Sequence, residues 1–154
     1  KHAESVEEAL SFINTSSAPF ISRGDDSGTH KMEDKLWTLS NFNPEEFGDW
    51  YKSVGAGMGA SLNVSANISA YTLSDRASWL NFKNKSELAI LFANDKFLFN
   101  QYSFIPINPI RHKHVEYKLA EKLENWLTSD TAKSLINSYE IDGQSLFIFN
   151  AKQR

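Results

Sequence analysis

Twice in this chain a short apolar run passes into a loop built around glycine and emerges in helical periodicity: APFIS into RGDDSGTH, then YKSV into GAGMGASLN. That order leaves few folds open. Strands that each feed a helix through a short loop pair in parallel, with the helices as crossovers on the faces of the sheet. The expected class is therefore α/β, a mostly parallel sheet flanked by helices. The 154 residues, 41% hydrophobic and 13% aromatic, are enough for an ordinary buried core and too apolar for a disordered chain.

The remaining segments extend the pattern. ESVEEALSFINTS places Val6, Ala9, Leu10 and Ile13 at helical spacing, with acidic residues early, where they suit the helix dipole. Met32, Lys35, Leu36 and Leu39 give a second helix starting near Ser27, and Tyr51–Val54 a short strand before a glycine-opened third helix. AYTLSDR reads as a strand, ASWLNFKNK as one or two helical turns, LAILFAN as a buried strand, and YSFIPINP as an extended run ended by Pro109. From Val115 the apolar stripe Leu119, Leu123, Trp126 and Leu127, followed by Leu135, Ile136 and Tyr139, predicts two helices or one bent one. A turn at Asp142-Gly143 and a strand-like apolar run close the chain.

Charge and composition narrow the partners. A formal charge of -3 supplies no basic field for nucleic acid, and the absence of cysteine removes disulfides and thiolate metal sites. KHAESVEEAL has no apolar leader core and no stretch approaches the roughly 20 apolar residues of a membrane span, so the sequence reads as a soluble chain. His112 and His114 in RHKHV lack a third ligand and read as loop residues rather than a metal site.

The first glycine loop carries the chemistry. A helix beginning near Ser27 leaves the backbone N–H groups of Ser27, Gly28 and Thr29 without intrahelical partners, at the positive end of the helix dipole. Gly28 lets a ligand approach the backbone, Ser27 and Thr29 add hydroxyls, and Arg23 offers a guanidinium fork suited to an oxyanion. Equally, Asp26 or Ser27 could simply cap the helix while Arg23 pairs with Asp25 or Asp26. Asp26-Ser27-Gly28-Thr29 also spells the D-S-G-T of aspartic proteases, but HKMEDKL follows it, charged and helix-forming, where that fold needs apolar strand. Ser27 and His30, three residues apart on one helix, make poor triad geometry. GAGMGASLN lacks the Lys-Ser/Thr of a P-loop and the spacing of a dinucleotide fingerprint. Without a positioned base or nucleophile, the chain reads as a binding protein and not an enzyme, with no cofactor.

Five stretches, APFISRGDDSGTHKMEDKLW, GAGMGASLN, AYTLSDRASWLNFKNK, LAILFANDKFLFNQYSFIPINP and ENWLTSDTAKSLINSYEIDGQSLFIFNA, together resemble the later part of the tungstate-binding proteins of bacterial ABC transporters. That family has the type II periplasmic binding fold, two α/β lobes with the oxyanion in the cleft between them. R-x-x-x-S-G-T also resembles the phosphate-binding proteins of this fold. The resemblance implies a periplasmic or extracellular, transporter-associated protein that captures tungstate or a molybdate-like oxyanion and delivers it to a permease. A regulatory anion-sensing lobe, or a phosphate- or sulfate-binding protein, is the alternative. By the same likeness Arg23, Ser27, Gly28 and Thr29 contact the anion. Gly57, Met58 and Gly59 are expected near the cleft, because their loop opens a helix in the same way. NQYSFIPIN stands where the family usually has a proline and a glycine. Residues 1–104 would form the second lobe, and residues 105–154 a crossover strand and C-terminal helices returning to the first, about half of which has no counterpart here. The C-terminal apolar stripe would then seek a second chain or another copy.

Overall fold

The computed structural model describes residues 3–151; Lys1, His2 and residues 152–154, which the domain readings above include, lie outside the described residues. The chain divides into two compact units, one running to Phe99 and one from Asn100.

In the first unit, helix α1 (Val6–Ser16) follows Ser5, whose Oγ accepts the Glu8 N–H at 3.2 Å while Glu8 Oε2 accepts the Glu4 N–H at 2.8 Å. This reciprocal arrangement is close to a capping box. Asp95 reaches back to accept the Val6 N–H at 3.0 Å, fastening the short 3-10 turn at Lys96–Leu98 to the start of the helix. The helix stops at Ser17, which turns left-handed with φ 47°, so that the N–H groups of Ser17 and Ala18 return to the carbonyls of Asn14 and Ile13.

Strand β1 (Phe20–Ser22) is buried along its whole length and lies at the centre of a three-stranded sheet. β2 (Tyr51–Ser53) and β3 (Tyr71–Thr72) flank it, both parallel, with Ile21 opposite Lys52 on one side and Thr72 on the other. The intervening segments contain helices α2 (Gly28–Leu39) and α3 (Met58–Ile68), and the short α4 (Arg76–Asn81) follows β3. The chain thus leaves β1, adds β2 on one edge, and crosses back to add β3 on the other. The loop after β1 sits at this reversal of strand order, where open parallel sheets bind their ligands beyond the carboxyl ends of the strands.

Packing centres on Trp37, which is fully buried among the edges and faces of Phe20, Phe42, Phe47, Trp50 and Tyr51, with ring centroids 4.9 to 6.3 Å away. Val6, Leu10 and Ile13 of α1 and Leu36 of α2 complete this core. The buried face of α2 is therefore Glu33, Leu36 and Trp37; of the stripe read from Met32, Lys35, Leu36 and Leu39, Leu36 is buried and Met32 packs partly buried on the core, while Lys35 and Leu39 face solvent.

The expected strand LAILFAN is absent. Leu88–Asn94 forms no ladder, and Ile90 and Leu91 are 48% and 72% exposed, while Phe92 alone packs on the core. An apolar run becomes a strand only where a neighbour offers its backbone groups, and among the described residues no strand pairs with the free edge of β3 or takes up this run. YSFIPINP likewise makes no ladder, and Pro106 and Pro109 have no N–H to give one.

The second unit holds α5 (Tyr117–Leu127) and α6 (Asp130–Asn137), separate helices joined at Ser129, whose hydroxyl caps α6 through the Ala132 N–H. β4 (Glu140–Ile141) and β5 (Gln144–Ser145) form an antiparallel hairpin about Asp142 and Gly143, both left-handed, with φ 51° and 72°. Two positive φ values match a type I′ turn, which Asp-Gly favours. In the apolar run after Ser145, Leu146 donates to the Tyr139 carbonyl at 3.4 Å and Phe149 to Asn137 Oδ1 at 2.8 Å, but β5 stops at Ser145, so the strand ends earlier than its sequence indicates.

Gly24 tests how tightly the loop after β1 is built. Its φ is +59°, and a Cβ there would stand 2.4 Å from Ser53 Oγ and 2.7 Å from Ser53 Cβ. Gly24→Ala is expected to lower the urea midpoint, by about 2 kcal/mol of stability for the strained backbone and the forced shift of Ser53. Gly48→Ala, whose added Cβ meets only Trp50 at 3.6 Å, should shift it little.

Candidate functional site

The loop after β1 is held from both sides. The Arg23 carbonyl accepts the N–H groups of Gly55 at 2.8 Å and Ala56 at 3.2 Å, and the Ser22 carbonyl accepts that of Val54 at 3.0 Å. The two glycine loops foreseen in the sequence are therefore joined by backbone hydrogen bonds. Asp26 turns left-handed, φ 58°, a conformation that short polar side chains tolerate, and α2 begins two residues later.

Within the loop, Arg23 donates from Nη2 to Asp25 Oδ2, and the other carboxylate oxygen, Asp25 Oδ1, accepts the Ser27 N–H at 3.2 Å. Both acceptors of Asp25 are thus turned inward. The Arg23 hydrogen bond, then that of Ser27, holds this carboxyl at about 2, below the usual aspartate range. The Arg23 side chain is only 16% exposed, and its Nε is buried with no hydrogen-bond partner.

Ser27 is the N-cap of α2, its Oγ accepting the His30 N–H at 3.4 Å. Of the three N–H groups expected to be free, that of Ser27 is engaged by Asp25, and those of Gly28 and Thr29 make no hydrogen bond among the described residues. The capping reading and the open-amide reading therefore describe different atoms of one turn. A Cβ built on Gly28 would meet nothing within 4 Å, so this face of the turn is open.

Asp26 and His30 do not serve a protease or a triad. The Asp26 carboxylate is 85% exposed and faces Lys31 Nζ at 3.3 Å. His30 Nδ1 accepts the Asp26 N–H at 3.1 Å and its Nε2 lies 3.5 Å from Asp34, so neither ring nitrogen is spent on the Ser27 hydroxyl.

In the second loop, Gly57 is the N-cap of α3 and supplies no side-chain cap. Among the described residues the N–H groups of Met58 and Gly59 find no acceptor, whereas those of Ala60 and Ser61 bond to the Gly57 carbonyl. Gly57 and Gly59 are exposed with open space at Cβ, and Met58 is buried.

One group beneath the loop was not singled out from the sequence. Glu33, on α2, is 3% exposed, and its Oε1 accepts the Tyr51 hydroxyl of β2 at 2.6 Å. Ser22 Oγ, fully buried at the end of β1, lies against the same pair without completing a hydrogen bond. Burial pushes the Glu33 carboxyl up to about 6, against the opposing pull of the Tyr51 hydrogen bond. Burial and the Glu33 hydrogen bond also push the Tyr51 phenol well above its ordinary value. The available signal was spacing, since Glu33 stands three and four residues before Leu36 and Trp37 and so shares their buried face.

Residues 5–131 match the PBP superfamily domain. In keeping with its parallel sheet and strand-end loops, the chain belongs to the PBP superfamily. Its similarities lie with a particular group of proteins. It is 44% identical over 145 residues to the tungstate-binding protein TupA of Peptoclostridium acidaminophilum, an alignment covering 93% of this chain and 50% of that protein. The structure of the tungstate-binding protein TupA from Desulfovibrio alaskensis G20 superposes with TM-score 0.86 at 39% identity, over 98% of this chain and 62% of that one. The tungstate ABC transporter structure from Geobacter sulfurreducens gives 0.72 at 39% identity, over 89% of this chain and 57% of that one. The chain spans about half the length of the curated relatives it matches.

Glu33 carries a prediction for stability. Its carboxyl holds a proton more tightly folded, at about 6, than at its ordinary 4.5. Its contribution to stability is therefore fully present below that lower value, declines as pH rises through about 6, and levels off above. The shift corresponds to about 2 kcal/mol. In urea melts across this window, Glu33→Gln should remove that decline, and an unchanged pH profile in the variant would contradict the assignment.

Proposed function

We propose that this chain is the oxyanion-binding part of a solute-binding protein that captures tungstate, or a molybdate-like dianion, for an ABC transporter permease on the outer side of the membrane. Arg23, the Ser27 hydroxyl and the N–H groups of Gly28 and Thr29 hold the anion, and the N–H groups at Gly57, Met58 and Gly59 supply further donors. No step of covalent chemistry is required of these groups; they bind and release. Similarity to tungstate-binding proteins in two organisms supports the substrate class. Among the described residues no helix is long and apolar enough to cross a membrane.

The observation that carries the choice of anion is where the carboxylates point. Asp25 spends both oxygens on Arg23 and Ser27, and Asp26 faces Lys31 and solvent. The turn therefore offers amide, guanidinium and hydroxyl donors, with both carboxylate oxygens of Asp25 already accepting from the protein. Tungstate and molybdate, fully deprotonated near neutral pH, only accept hydrogen bonds, whereas hydrogenphosphate brings a proton that needs an acceptor. A site whose Asp25 carboxylate is already engaged pairs that proton at best with a neutral hydroxyl, and so discriminates against phosphate.

Residues 1–104 are assigned to the second lobe of the binding fold, and residues 105–154 to the crossover and the helices that return to the first. In the second unit, Leu119, Leu123 and Trp126 of α5 and Leu135 of α6 are all exposed. This face is the association surface, to be covered by the rest of the first lobe or by a second chain. Two lobes closing on an anion exclude water and strengthen every donor contact, so this chain by itself should bind weakly.

Calorimetric titration with tungstate, molybdate, sulfate and phosphate tests the reading. Tungstate should bind at least about tenfold tighter than phosphate, a difference of about 1.4 kcal/mol, and Arg23→Ala should abolish binding. Gly59→Val should weaken it, and unchanged affinity in that variant would remove the second loop from the site. Equal affinity for phosphate would overturn the choice of anion. For the association surface, the chain should self-associate or bind a hydrophobic dye, and Leu123→Glu should reduce both. A clean monomer that binds no dye counts against it.

A further inference from the structure

We infer that Glu33 is a proton-linked positioning residue for the anion loop: without touching the anion, its carboxyl takes up a proton as a dianion seats on the Arg23–Thr29 turn and releases it as the anion leaves. This rests on the anion-binding reading above and adds to it a coupled proton.

Placement comes first. Glu33 lies five residues into α2 from Gly28, about 7.5 Å along the helix axis at 1.5 Å per residue, and helical side chains lean back toward the N-terminus. Ser22, which lies against the carboxyl, is the residue immediately before Arg23. The carboxyl therefore sits under the turn that receives the anion, separated from it by protein and not by solvent. Charges at such a distance interact far more strongly through a buried path than through water.

No cation neutralises it. Glu33 belongs to neither of the ion pairs around it, Arg23 with Asp25 and Lys31 with Asp26, nor to the contact of His30 Nε2 with Asp34. The titratable groups that face it are Tyr51 from β2 and His30 and Asp34 from its own helix. The Tyr51 hydroxyl donates a hydrogen bond to Oε1, and His30 is engaged by the Asp26 N–H and Asp34. From β1 the neighbour is Ser22, with Arg23 next along the chain committed to Asp25. Helix α1 meets this core through Val6, Leu10 and Ile13, which carry no charge. A dianion on the turn is thus a like charge that Glu33 meets with no counter-ion beside it, and the relief available is protonation.

The same residue explains how the proton reaches geometry. The Tyr51–Glu33 hydrogen bond ties α2 to β2, and β2 leads directly into the Gly55–Gly59 loop. Both donor loops consequently share this one buried bond. Neutralising Glu33 weakens the charge assistance of that bond without breaking it, so the loops stay in register as the field beneath them changes.

The test uses the whole chain with Glu carboxyl carbons labelled for NMR, titrated in pH with and without millimolar sodium tungstate. In free protein the Glu33 carboxyl should titrate with a midpoint near 6, and tungstate should raise that midpoint by about half a unit or more, equivalent to about threefold tighter binding at the acid end of the window. Binding heats should then depend on the ionisation enthalpy of the buffer, and in Glu33→Gln they should not. Tyr51→Phe, which keeps the carboxyl and removes its hydrogen bond, should raise the free midpoint further. If the Gly28 and Thr29 amide signals move with tungstate while the Glu33 midpoint does not, the proton linkage is wrong and the anion site stands. If neither responds, the anion-binding reading fails and this inference goes with it.

Discussion

The carbonyl oxygen of Arg23 accepts two backbone N–H groups from the neighbouring glycine loop, and most of the site follows from that one acceptor. It marks the point where the central strand ends and the β2 side of the sheet closes over it. Because β1 is buried on both faces, its carboxyl end has little freedom to move, and the turn that follows inherits that rigidity. Gly24 then fits against Ser53 where a methyl group could not. The guanidinium of Arg23 leaves the same residue whose carbonyl makes the joint, so the cation and the second loop are referenced to a single backbone position.

Three carboxylates near this turn have three different surroundings. Asp25, held by a guanidinium and an amide, stays ionised down to about 2. Glu33, buried with one phenol for company, holds its proton up to about 6. Asp26 stands in water beside Lys31. Of the three, only Asp26 presents its carboxylate to solvent, facing Lys31.

The second unit shows the other use of amphipathic sequence. Its helices carry apolar stripes as regular as those of the first, but Leu119, Leu123 and Trp126 remain in contact with solvent, where the comparable stripe of α1 is sealed against Trp37. A stripe of that kind has no favourable place in water, which is why an association surface is its natural assignment.

Much of this was legible from the letters alone. The alternation of strand, glycine loop and helix specified an α/β chain with parallel strands, because periodicity and glycine placement act locally and survive without knowledge of neighbours. The start of α2 near Ser27 and the Asp142-Gly143 turn are of the same kind. What local pattern could not decide was pairing and burial. Leu88–Asn94 has the composition of a strand and no ladder, since a strand is completed by another strand's backbone. Asp25 rather than Asp26 took the arginine because Asp26 turned left-handed and pointed its carboxylate away, a choice of one dihedral angle. Glu33 looked like any surface glutamate until Tyr51, eighteen residues on, closed over it. The sequence by itself determined which groups were available to meet an anion; the tertiary structure alone decided which of them were already engaged, because burial and partnership are properties of distant residues brought together.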